Sequence, residues 1–120
     1  MTDPYTLQAE LFKALAHPVR LRILEVLAQG EACVCHLTTL LAQRQPYVSQ
    51  QLMQLREAGL VLDRREGSIV YYALTGPQIA HMLGEARSLL AHSGVELVSQ
   101  PVPSSPLSGC PCPHCGLVER

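Results

Sequence analysis

The stretch Pro46-Tyr47-Val48-Ser49-Gln50-Gln51-Leu52-Met53-Gln54-Leu55-Arg56-Glu57-Ala58-Gly59-Leu60-Val61 decides how this chain folds. Proline suits the first turn of a helix, where its missing N–H costs nothing. Val48, Leu52 and Leu55 recur at i, i+4 and i+7, which predicts one buried helix face. Tyr47, Gln50, Gln54 and Glu57 fall roughly opposite, and Gly59 is a stop signal. Gln45, Tyr47, Ser49, Gln50 and Gln51 crowd polar groups into the start of this helix. Such side chains can bond base edges and phosphates. Periodicity alone serves a merely solvated helix face equally well.

Upstream, Asp3-Pro4 pairs a capping carboxylate with a first-turn proline, and Leu7, Leu11, Ala14 and Leu15 follow at helical spacing. His17-Pro18 interrupts that helix, because the residue before proline resists helical geometry. Pro18 opens a second helix carrying Val19, Ile23, Leu24 and Leu27, which Gly30 ends. A short third helix spans about Val34 to Ala42, with Leu37, Leu40 and Leu41 as its apolar face. Downstream, Leu60–Arg65 and Ile69–Leu74 are β-prone runs around Glu66-Gly67-Ser68, the pattern of a hairpin. Thr75 and Gln78 have capping-box spacing and introduce a last helix to about His92, with Ile79, Met82, Leu83, Ala86, Leu89 and Leu90 on one side. The expected fold is mainly α with a β-hairpin, in the order α-α-α-α-β-β-α, a winged helix-turn-helix. In that layout the second helix of the pair enters the major groove, and the hairpin offers Arg64 and Arg65 to the DNA backbone or minor groove.

Residues 1–95 therefore read as a DNA-binding and dimerisation domain. Residues 96–120 read as a flexible Pro/Ser-rich tail ending in Cys110-Pro111-Cys112-Pro113-His114-Cys115. The formal charge of −1 supplies no basic footprint for nucleic acid. From His36 to Tyr72, Arg44, Arg56, Arg64 and Arg65 face Glu57, Asp63 and Glu66, a surplus of one positive charge. No apolar run has the length of a membrane span, and Met1-Thr2-Asp3-Pro4 lacks the layout of a signal peptide, so a cytoplasmic location without membrane contact is expected. In that setting five cysteines point to ligands or redox groups before structural disulfides.

Cys33-Val34-Cys35-His36 opens the third helix. Cysteines two apart diverge within a regular helix, but the first residue of a helix start is not yet helical, so both thiols can converge there. A helix N-terminus favours negative charge, and soft thiolates select soft ions. On spacing alone the two cysteines also fit small buried residues. Cys112-Pro113-His114-Cys115 has the spacing of a redox dithiol, yet no βαβ pattern surrounds it, and no enzymatic activity is expected.

Three segments together resemble the ArsR/SmtB family of metal-responsive repressors: Leu15-Ala16-His17-Pro18-Val19-Arg20-Leu21-Arg22-Ile23-Leu24, then Val48 to Val61, then Arg64-Arg65-Glu66-Gly67 through Tyr71-Tyr72-Ala73-Leu74. The resemblance covers roughly residues 6 to 92. It implies a homodimer on double-stranded operator DNA, with the first and last helices forming the interface. Gln51 departs from it, since the family usually has His there. Cys33-Val34-Cys35-His36-Leu37 resembles the family's Cys-Val-Cys-Asp-Leu motif, which implies arsenite or antimonite as inducer on three thiolates, or cadmium or lead on four. With Cys33 and Cys35 as anchor, Cys110, Cys112 and Cys115 are the candidates for the remaining ligands. They also fit a separate trigonal site or an adventitious metal-binding end. Zinc, and thiol oxidation or persulfide formation, are the alternative inducing chemistries. His81 and His92 match the spacing of the family's zinc site, but lie about 16 Å apart along one helix, and Ile79 and Val95 stand where that site usually supplies Asp and Glu or His.

Overall fold

The computed structural model describes residues 3–95. Its elements run α1 (Pro4–Leu15), α2 (Pro18–Ala28), β1 (Ala32–Cys33), α3 (Val34–Leu41), α4 (Gln45–Glu57), β2 (Val61–Glu66), β3 (Ile69–Leu74) and α5 (Pro77–His92). The expected order is present, with one addition. The two-residue strand β1 joins the hairpin to make a three-stranded antiparallel sheet in the order β1-β3-β2. Strands this short carry no readable period, so no hydrophobic alternation marks β1.

Each boundary has a local cause. Asp3 caps α1, accepting from the backbone N–H groups of Tyr5 and Thr6. His17 caps α2 through its ring, with Nδ1 accepting from the Val19 N–H at 3.2 Å. Ala42 ends α3 in the left-handed region, at φ 53°, and turns the chain into α4. The hairpin turn is Gly67-Ser68, where Gly67 sits at φ 63°, a conformation that favours glycine. At α5 the capping box is not formed. Pro77 occupies the first turn, so Gly76 is the cap residue and contributes no side-chain bond. Thr75 lies one position too early. Its Oγ1 instead donates to the carbonyls of Gly59 and Leu60 and ties the end of β3 to the α4–β2 turn.

Ile23 and Leu24 of α2, Leu37 of α3, and Val48, Leu52 and Leu55 of α4 are fully buried in one core. Burying each such side chain contributes on the order of 1.5–3 kcal/mol against leaving it in water. α3 and α4 thus share an interior. The terminal helices are different. Tyr5, Leu7 and Phe12 of α1 and Leu89 and Leu90 of α5 are exposed, Leu89 to 73%. No helix among the described residues is long and apolar enough to cross a membrane.

Candidate DNA-reading helix and cysteine pair

Helix α4 divides its predicted reading residues into two groups. Gln45 and Gln50 are exposed, and Tyr47 and Ser49 are half-buried. Gln51, expected with the reading residues, lies on the buried side of α4. It is 6% exposed, and its Oε1 accepts from Arg20 Nε at 2.8 Å. The cause is spacing: Gln51 is three residues after Val48 and four before Leu55, on the buried stripe. Arg20 also donates through Nη1 to the Ala14 carbonyl. One guanidinium therefore ties the end of α1, α2 and α4 together, and Gln51 is its partner in α4. Tyr47 is also engaged, its hydroxyl lying 3.3 Å from His17 Nε2.

The two wing arginines also separate. Arg65 is exposed on β2. Arg64 is committed within the protein. Its Nε and Nη2 fork onto both carboxylate oxygens of Glu31, its Nη1 donates to Glu66 at 2.7 Å, and its guanidinium lies 4.7 Å from the centre of the Tyr71 ring. The hydrogen bonds it donates to Glu31, then to Glu66, hold its pKa above the ordinary arginine value. Two carboxylates thus offset the charge expected to face DNA.

Cys33 is the last residue of β1 and the cap of α3, in extended conformation at φ −85° and ψ 164°. That geometry brings its Sγ to 2.7 Å from Cys35 Sγ. The thiols converge because the first of them stands outside the helix. Cys33 is buried and Cys35 is half-buried. Cys33 Sγ also accepts from the His36 backbone N–H at 3.3 Å, the arrangement in which a helix start supports negative charge on sulfur. The donor set suits a soft thiophilic ion and supplies two sulfurs. Among the described residues, no group of three or more His, Cys, Asp or Glu side chains is placed to hold a metal. Cys110, Cys112 and Cys115 lie outside the described residues.

His81 and His92 are both exposed on α5, and His92 Nδ1 lies 3.2 Å from the Ser88 carbonyl. Ile79 is buried in the core. Sequence reasoning missed three residues that organise the region: His17, Arg20 and Glu31. A histidine directly before a helix-opening proline was the available signal for the first. The other two act across about thirty residues of chain, and no local pattern announces them.

A four-helix head with α3 and α4 joined by a tight turn, followed by a wing, defines a winged helix-turn-helix regulator. Residues 17–62 match the model of the bacterial regulatory protein family called arsR. The chain is 44% identical over 88 residues to the HTH-type transcriptional regulator Rv0081 of Mycobacterium tuberculosis strain H37Rv, covering 72% of this chain and 77% of that one. The crystal structure of Rv0081 superposes with a TM-score of 0.71 at 42% identity, over 77% of this chain and 94% of that chain. The arsenical resistance operon repressor of Escherichia coli K12 is 49% identical over 72 residues, 59% of this chain and 62% of the repressor. The homodimeric winged helix-turn-helix DNA-binding domain Mb0332 of Mycobacterium bovis, solved by NMR, gives a TM-score of 0.69 at 32% identity, over 78% of this chain and 90% of that domain. This chain belongs to the ArsR family of bacterial transcriptional regulators.

Proposed function

We propose that this chain is a cytoplasmic, homodimeric repressor that holds operator DNA and is released when its cysteines take up arsenite or antimonite. The observation that carries the reading is the convergence of Cys33 and Cys35 at the first turn of α3, the helix packed on the α4 reading head. Similarity to the arsenical resistance operon repressor supports arsenic as the inducer. The homodimeric state of Mb0332 and the exposed apolar residues of α1 and α5 support the dimer. Gln45, Tyr47, Ser49, Gln50 and Arg65 contact the DNA, and two copies grip half-sites about one helical turn apart.

Cys33 and Cys35 hold the inducer, and a cysteine from 110, 112 or 115 supplies the third sulfur that a trigonal arsenic or antimony centre requires. Cys33 is fixed to the sheet by its pairing with Tyr71. Cys35 rides on α3. A ligand that re-sets the distance between the two sulfurs tilts α3 against the sheet, and the shared core of Leu37, Leu41, Val48 and Leu52 passes that tilt to α4. A coupling of about 1–3 kcal/mol is enough for roughly 5- to 150-fold weaker DNA binding.

Binding stoichiometry and sulfur coordination number test this reading. They are measured for arsenite and cadmium with the full chain, with C33S/C35S, and with a chain ending at Pro106. One arsenite on three sulfurs, lost in both variants, is expected. Full affinity in the shortened chain removes the tail from the site. Four sulfurs with tighter cadmium binding favour a cadmium or lead sensor. The closeness of the two thiols also favours a second reading, release by thiol oxidation or by persulfide formation from a sulfane-sulfur donor, which metal-independent loss of DNA binding on adding peroxide or an inorganic polysulfide, respectively, would support.

A further inference from the structure

His17 joins two jobs that are usually separate. Its Nδ1 accepts the Val19 N–H and caps α2. Its Nε2 lies 3.3 Å from the Tyr47 hydroxyl, at the start of the reading helix. The first contact fixes the direction of the second. An Nδ1 that accepts a hydrogen bond carries no proton, so the neutral ring carries its proton on Nε2. A tyrosine donating to Nε2 would require a ring with no proton at all. The bond therefore runs from His17 Nε2–H to Tyr47 Oη. A phenol whose oxygen accepts still has its own proton to give.

The position of Tyr47 selects what receives that proton. Val48, Gln51, Leu52 and Leu55 define the buried side of α4. At 100° per residue, Gln50 points away from that side, while Tyr47 lies on the flank towards the α1–α2 junction. A flank of a helix seated in the major groove meets the groove wall, which is phosphate.

We infer that His17 is a positioning residue for DNA recognition: it polarises the Tyr47 hydroxyl, so that Tyr47 acts as a hydrogen-bond donor to a phosphate oxygen at the groove edge. The inference rests on operator binding through α4, proposed above. It assigns Tyr47 to backbone contact, where it fixes register without reading sequence. Base readout falls to Gln45, Ser49 and Gln50.

The test uses the full reduced chain and a duplex that the wild-type protein itself has enriched from a random-sequence library. Three variants are compared: Y47F, H17N and the double variant. Asn is a good cap residue and keeps α2 intact, but its shorter side chain does not reach Tyr47, so H17N should melt like wild type. Loss of one hydrogen bond predicts about three- to tenfold weaker binding for Y47F and for H17N. The double variant should bind no more weakly than Y47F alone, because His17 acts through that hydroxyl. Replacing single phosphates by methylphosphonates should reveal one position in each half-site that weakens wild type and leaves Y47F unchanged.

Losses that multiply in the double variant overturn the inference, as does an H17N protein with wild-type affinity. A loss that follows base analogues lacking an acceptor, with no sensitive phosphate, overturns the phosphate assignment. Failure of the wild-type chain to enrich any duplex overturns operator binding itself, and is distinct from both.

Discussion

Cys33 and Arg64 stand at the two ends of one row across the sheet. Cys33 pairs with Tyr71, and Tyr71 pairs with Arg64. Cys33 and Tyr71 are buried together, and Arg64 stacks on the outer side of the same ring. Arg64 then returns to Glu31, two residues before Cys33. The thiol pair therefore touches the wing through a closed loop of contacts, as well as the reading head through α3. This arrangement divides the labour of the wing arginines. Arg65→Ala should lower the slope of log Kd against log salt by about one, the signature of a lost phosphate contact. Arg64→Ala should leave the slope unchanged, because Glu31 and Glu66 already offset that charge. Equal slope changes in the two variants would contradict the division.

Gln51 behaves as a structural partner. Gln51→Ala leaves the half-buried Arg20 Nε without its acceptor and should cost about 1–3 kcal/mol of stability in urea unfolding. Removing Arg20 as well, with Arg20→Met, should recover part of that loss. A Gln51→Ala protein of wild-type stability that has lost base discrimination would return Gln51 to the reading face.

The exposed leucines of α5 predict the association behaviour. Leu89 and Leu90 bury little within one chain, so L89E/L90E should preserve helix content while moving the protein from dimer to monomer in analytical ultracentrifugation. DNA affinity should fall with it, since one reading head then faces one half-site. A stable dimer in this variant would place the interface elsewhere.

Asp3 gives a pH signature to α1. The Thr6 hydroxyl first, then the backbone N–H groups of Thr6 and Tyr5, hold its carboxyl below the usual carboxylate value. A group lowered in the folded state stabilises above its unfolded pKa, and that contribution is lost as pH falls through the folded value. D3N should therefore be less stable than wild type at neutral pH, and the gap should close in strongly acidic solution, as read by thermal melts across pH. A gap that persists or widens in acid would be inconsistent with a charged cap.

Much of this architecture was legible in the sequence because it rests on local rules. Proline at three helix starts, apolar residues at helical spacing in α2 and α4, and a glycine turn between β-prone runs each have one dominant physical reading. What was not legible depends on distant partners. Gln51 sits three residues from Val48, a spacing that marks the buried stripe, but its chemistry suits a reading face, and only Arg20 decides between the two. Arg64 looked free because Glu31 is 33 residues away in sequence. Thr75 matched a capping pattern that the position of Pro77 forbids. The convergence expected for Cys33 and Cys35 appears in the structure because it depends on a single boundary, the start of α3.

The most direct measurement of the central claim is arsenite titrated into the reduced protein bound to its selected duplex. DNA should be released with the midpoint set by arsenite binding, and C33S/C35S should stay bound throughout. A wild-type complex that survives saturating arsenite, or a double-serine variant released at the same concentration, would contradict cysteine-based release.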